Sequence, residues 1–438
     1  MAGVSEDELT PLMGWPQGIN NKAKEHALPD GTLRAADNVD LDNEGKMQVR
    51  PGRALISSIT NLHSVWSHPQ YPFMLAAAGN HLYSWDDNLD LEQLSDVITA
   101  VDAPVSYDFK SGSVYWTNGT DSGRIFPDFV NLPWAPEAPG GQPTVTATTG
   151  AGGLYAGTYQ LAITYLDDRG RESGSTLATE VQLADGQGIT LTDIPQPQGS
   201  DTAYIRIYLS GQNGEILYWV RNILPGLSTV TIGVHTPGKQ LEMQFLKALP
   251  AGQITKMHNG RHLVARGKVL IWAEADHYGM GKLHANYLSF DDTITLMEPV
   301  GQASNSGLYV AAGKRTYYLQ GSDPKNWQKF IAYTQGAVPR TSAVAEASDL
   351  GFQSSGPVPY WLDKNGQYVV GLPGGVVSRM HEKNYSAPAN VQSGASAMRE
   401  YQGMKHLIAS LRGGSQTGIR ATDSISAEIF TNGIRQSS

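Results

Sequence analysis

Apolar runs in this chain are short and are broken every few residues by Asn-Gly, Asp-Gly or Gly-Gly, a spacing that leaves little room for helices. Runs of four to eight residues bounded by turn formers read as strands. Helical periodicity is confined to two stretches, residues 89–94 and 395–402, which are expected to be helical. Gly (48) and Pro (24) make up about one sixth of the 438 residues, and Tyr (20) and Trp (9) supply aromatic side chains that suit strands. The chain reads as all-β.

A chain of 438 residues exceeds one ordinary core, so more than one domain, or a large architecture with an insertion, is expected. The middle stands apart. Residues 142–246 are rich in Thr, Gly, Tyr and Ile, with strand-like runs at 144–149, 157–165, 188–191, 203–209, 216–220 and 229–234. Within 203–209, Tyr204, Arg206 and Tyr208 alternate with Ile205, Ile207 and Leu209, the pattern of a strand with one wet face. About seven short strands in ~100 residues predict an immunoglobulin- or fibronectin III-like sandwich. The Pro/Gly-rich stretch 132–141 reads as the linker before it.

The flanks, 1–135 and 250–438, share a looser unit: a small-residue strand, a tight turn, then a strand carrying Tyr or Trp. It recurs at 74–85, 105–117, 262–273, 308–319 and 360–371. That is the inner hairpin of a β-propeller blade, and at ~40–50 residues per blade the flanks would supply roughly six to eight. The expected fold is a β-propeller-like body interrupted by the sandwich; a protein of two sandwiches is the competing architecture.

Composition removes several function classes. With no cysteine, disulfides, Cys-ligated zinc, iron–sulfur clusters and thiol catalysis are excluded. A net charge of -9 argues against a surface that grips nucleic acid by neutralising phosphates. The start, Met1-Ala2-Gly3-Val4-Ser5-Glu6-Asp7-Glu8, carries acids where a signal peptide needs basic residues, and no run approaches the ~18 apolar residues of a membrane helix. Synthesis in the cytoplasm without an export address is the expectation.

Candidate chemistries each fail on spacing. Asp40, Asp42, Glu44 and Gly45 resemble the start of a calcium loop, but the closing Glu would fall at Pro51, so a hairpin turn is expected. His258 and His262 stand four apart, as ligands on a helix would, yet Asn259-Gly260 between them makes a hairpin turn. No Gly-x-Ser-x-Gly elbow is found, and Gly150–Gly153 and Gly413-Gly414 lack the Lys-Ser/Thr of a phosphate loop. The acid pairs Asp86-Asp87, Asp167-Asp168 and Asp291-Asp292 lie in turns, and strand neighbours point to opposite faces, so no pair by itself flanks a glycosidic bond. Trp66, Trp85, Trp116, Trp272, Trp327 and Trp361, about one per blade, read as core packing rather than sugar platforms. No residue is assigned a catalytic, cofactor-binding or metal-ligating role.

One segment carries a likeness. Gly14-Trp15-Pro16-Gln17-Gly18-Ile19-Asn20-Asn21, then Leu28-Pro29-Asp30-Gly31-Thr32-Leu33-Arg34, Asn38-Val39-Asp40 and Gly45 to Arg50-Pro51-Gly52, resembles the opening of phage tail nozzle and packaged-DNA stabilisation proteins. The stretches 165–173 and 206–210 resemble fibronectin-like modules of virion proteins, and Ala421-Thr422-Asp423 resembles the end of nozzle-type chains. Locally, 28–31 reads as a type I turn, and 38–41 with 46–50 as a hairpin in which Arg50 and Arg53 can pair with Asp37, Asp40 and Asp42.

The resemblance implies a structural, non-enzymatic virion protein of the tail, without cofactor. It implies a cyclic homo-oligomer (a hexamer or dodecamer) that continues the DNA channel, retains the packaged genome, and meets portal or tail-tube proteins and tail fibres, with no membrane insertion. An acidic lining would let DNA slide. The competing readings are a host-glycan-binding adhesin or fibre-base protein and, further off, a polysaccharide-degrading enzyme.

Overall fold

A computed structural model describes residues 15, 17–36, 39–41, 46–50, 57–86, 91–95, 98–199, 201–301, 306–388, 390–401, 404–413 and 425–430. The chain divides into two compact units, one of residues 1–58 with 290–438, the other of residues 59–289.

Apart from the sandwich described below, the continuous unit, Ile59–Ser289, holds three four-stranded antiparallel sheets among its described residues. The first runs through His63–His68, Tyr71–Ala78, His81–Trp85 and Leu91–Ser95; the second through Ser106–Lys110, Ser113–Thr117, Ser122–Ile125 and Asn131–Leu132. The third comprises Ile254–His258, Arg261–Arg266, Val269–Trp272 and Tyr287–Ser289. Each strand pairs with the one before it in sequence, the up-and-down order of a propeller blade. The expected inner hairpins are present: Met74 faces Trp85 and Ala78 faces His81 across Gly79-Asn80, and Lys110 faces Ser113 across Ser111-Gly112. Small residues let the inner strands approach closely: Ala76 and Ala77 are fully buried, as are Val114, Tyr115 and Trp116.

The sandwich is inserted in this unit. One sheet has the order Thr144–Thr148, Gly188–Thr192, Val230–Ile232; the other has Thr179–Leu183, Gly157–Asp167, Thr202–Ser210, Leu217–Ile223. Ile205, Ile207 and Leu209 are buried as read, in a core shared with Leu161, Ile163 and Ile189, but the opposite face is wet only at Tyr204 and Arg206: Tyr208 is 2% exposed and packs with Ala162, Leu217 and Leu241. Counting strands from the first, the sheets are 1-4-7 and 3-2-5-6. In the immunoglobulin order the first strand pairs with the second; here it pairs with the fourth. The start of the stretch 132–141 is packed: Trp134 is 3% exposed, and its Nε1 donates to the Gly123 carbonyl at 2.8 Å.

The second unit joins both ends of the chain. Two further four-stranded sheets, Ile294–Val300 to Gln328–Tyr333 and Ala343–Glu346 to Val376–Arg379, repeat the blade order. A three-stranded sheet follows, made of Ser393–Tyr401, Met404–Arg412 and Ile425–Phe430. Among the described residues the body is thus β-propeller-like, with five four-stranded sheets and one of three strands.

Two sequence expectations are overturned. Residues 91–95 form a strand paired with His81–Trp85, and 393–401 form a strand paired along its whole length with Met404–Arg412. Neither is helical. Leu91 and Leu94 have helical spacing, and Ala395 to Met398 have helical propensity, but ladder pairing to a preformed neighbour outweighs such weak local preferences. The turn near Pro29 is also displaced by one residue: the Thr32 N–H donates to the Pro29 carbonyl, and Gly31 sits at the third position with φ of 74°, a type II feature.

Candidate functional site

The segment that carries the resemblance is built into its own unit by backbone and amide contacts. Ile19 bridges Leu33 in parallel, with Asn20 N–H donating to the Leu33 carbonyl at 2.7 Å and Leu33 N–H to Gly18 at 2.8 Å. Asn20, 4% exposed, accepts from the N–H groups of Lys22 and Ala23. Asn21 makes a two-way amide pair with Ser386, donating to its carbonyl at 2.8 Å and accepting from its N–H at 2.9 Å. Arg34 donates to the Ala23 carbonyl.

The expected hairpin is present, Val39–Leu41 paired with Met47–Val49; its turn at 42–45, Asp37, Arg53 and residues 421–423 lie outside the described residues. Arg50 does pair with Asp40, Nε to Oδ1 at 3.1 Å. The setting is not an exposed one. Asp40 is 1% exposed, and its other oxygen takes Arg399 Nη2 at 2.8 Å; His406 Nδ1 lies 3.0 Å from the same nitrogen. Burial first, then the Arg399 charge, lower the His406 pKa. The partner across 359 residues of sequence could not be found by local spacing.

The other sequence candidates are dispersed and occupied. His258 and His262 flank the expected hairpin turn, where Asn259 (φ 47°) and Gly260 (φ 70°) are both left-handed. His262 is fully buried against Trp134 and Tyr115, with Nε2 at 2.6 Å from Thr255 Oγ1; burial holds its pKa down to about 3 and that of His258 to about 4. Asp167 accepts from Arg171 Nε at 2.7 Å and from two backbone N–H groups; Asp291 accepts from Tyr317 and Asp292 caps Thr293. Trp116 and Trp361 are fully buried, and the indoles of Trp85, Trp116 and Trp327 donate to Met74, Asn131 and Gly321. The core reading holds for Trp116 and Trp361, whereas Trp85 and Trp327 are half-buried.

Spacing gave no hint of a cleft of about 630 Å³ in the unit of residues 1–58 and 290–438, beside the Asp363–Gly366 turn. Val338, Pro339, Leu362, Pro388 and Val391 make its apolar wall. Its charged residues are spent: Asp363, 1% exposed, accepts from Tyr333 Oη at 2.7 Å and from the N–H groups of Asn365 and Gln367, and Lys364 Nζ donates to the Gly313 carbonyl at 2.6 Å. Asn365, Asn390 and Gln392 are exposed there, and their carboxamides make no hydrogen bond with a described residue.

No family model matches this sequence, and no curated protein matches it. Among solved structures it is similar to a streptogramin B lyase (10% identity, TM-score 0.32, covering 81% of this chain and 92% of that one). Virginiamycin B lyase from Staphylococcus aureus gives 11% identity, TM-score 0.32 and coverage of 81% and 93%. The WD40 domain of SCAP from fission yeast gives 9%, 0.24, and 84% and 87%. At such scores these likenesses assign no activity; the propeller-like description rests on the chain's own sheets.

Proposed function

We propose that this chain is a structural subunit of a phage tail, a ring-forming nozzle or head-to-tail adaptor that continues the DNA channel, holds the packaged genome and anchors tail fibres. The observation that carries the reading is the use made of the resembling segment. Gly18, Asn20, Asn21, Arg34, Asp40 and Arg50 are each spent on internal bonds, so the motif works as an architectural staple. A segment of that kind suits a subunit whose task is mechanical, working in the virion with portal, tube and fibre proteins as neighbours. The net charge of -9 fits a conduit that repels phosphates rather than gripping them. Electron microscopy of the purified protein tests this directly. A closed ring of six or twelve copies with a central hole is expected; a monomer that hydrolyses surface polysaccharide would end the proposal.

A second reading, host-glycan binding by the sandwich, draws support from Tyr155 (69% exposed) and Tyr204 (41% exposed) on its surface. Glycan-array binding by the full chain that is lost in Tyr204→Ala would favour it over the first.

A further inference from the structure

We infer that Arg124 binds a small oxyanion of the phosphate or sulfate type where the Asp167–Arg171 turn of the sandwich meets the second sheet, a role that does not depend on the tail reading. Three observations converge. First, the guanidinium is positioned by its register. Arg124 stands directly opposite Tyr115 in the ladder, and Phe126 follows two residues on. Its guanidinium carbon lies over both rings, 5.1 Å from the Tyr115 centroid and 4.4 Å from that of Phe126. Two ring contacts order a long side chain and leave the N–H edge of the fork to meet a ligand.

Second, that edge has no acceptor. Arg124 is half-buried, its Nε is buried without a partner, and its Nη nitrogens make no hydrogen bond or ion pair with a described residue. A partly desolvated cation without a counter-charge is costly. Burial first, and with it the Arg171 and Arg169 charges, hold its pKa below the ordinary arginine value, with Tyr115 and Asp167 acting the other way.

Third, more positive charge converges on the same spot, and the carboxylates there are already taken. Arg169 and Arg171 also lie over the Phe126 ring, 4.5 and 5.2 Å from its centroid, so three guanidiniums share one phenyl group. Asp128 holds Arg169 Nη2 at 2.6 Å; Asp167 holds Arg171 Nε at 2.7 Å and two backbone N–H groups. Asp168, exposed on the same turn, acts on Arg169 through its charge but bonds to none of the three. A planar fork beside two further cations matches an anion that carries two charges and presents two oxygens to one edge, which a halide does not.

The test compares the full chain in phosphate and in chloride at equal ionic strength. Phosphate should bind saturably by calorimetry and raise the melting temperature to a plateau, and sulfate should compete with it. Arg124→Met keeps an unbranched stem between the rings and should melt in chloride close to the parent, yet lose the phosphate response. Arg124→Lys keeps the charge without the fork and should weaken phosphate binding about tenfold, which keeps the inference testable if Arg124→Met folds poorly. Asp128→Asn frees Arg169 and should tighten binding; weaker binding in that variant would count against the site. No saturable effect of phosphate beyond chloride, a response unchanged in both Arg124 variants, or stabilisation by duplex DNA but not by phosphate would each overturn the inference.

Discussion

Asp40 is the residue on which the opening segment turns. A carboxylate 1% exposed between two guanidiniums is held only while both partners are in place. Converting Asp40→Asn would leave Arg50 and Arg399 facing each other without their counter-charge, and a buried pair broken from one side costs about 3 kcal/mol. Urea unfolding should register that loss as a lower midpoint with unchanged slope; a midpoint equal to the parent's would show the cluster to be incidental. His262 makes the opposite demand, since it is stable only without charge. Its folded pKa, about 3, lies below the ordinary 6.5, as does that of His258 at about 4. Their contribution is therefore complete above pH 6.5 and drains away as pH falls from 6.5 toward 4 and then 3. Melting temperatures should hold from pH 7.5 to about 6.5 and fall from there to pH 4, and His262→Gln should flatten the fall. Parallel curves for the two proteins would contradict this.

At the scale of elements, glycine sets how closely strands and rings meet. A Cβ on Gly307 would land on the Tyr318 ring, which packs against Tyr309. Gly307→Ala should destabilise by roughly 2 kcal/mol, the cost of overpacking a filled core, and Tyr318→Leu should recover part of it; additive losses would argue against the contact. The sandwich has its own core of Leu161, Ile163, Ile189, Ile205 and Ile207. Residues 142–246 alone should give a cooperative thermal transition with a β-type circular dichroism spectrum, and a non-cooperative melt would count against an independent core.

Strands and tight turns were legible because period-two alternation and Asn-Gly or Lys-Ser-Gly turns are local properties, as at 203–209 and 110–112. What failed was equally local in cause. Leu91 and Leu94, or Ala395 to Met398, resemble a helix until the neighbouring strand that captures them is known. The Arg399 partner of Asp40 and the cleft lined by Asn365 and Gln392 are long-range juxtapositions, invisible to any window along the chain.

For the molecule as a whole, the bond between Asp40 and Arg399 spans 359 positions of sequence. At ~5–20 residues per second, synthesis leaves the first partner waiting about 20–70 s for the second. The residues 59–289 form a continuous unit and emerge meanwhile, so that unit can be complete before the discontinuous one has its last sheet. During the delay Asp40, whose carboxylate is buried in the finished fold, has only Arg50 of its two guanidinium partners. Pausing the ribosome before codon 399 should therefore yield nascent chains in which residues 1–58 are cut readily by protease while 59–289 resist. The order of translation, and not only the final contacts, decides which half of this protein is exposed to the cell.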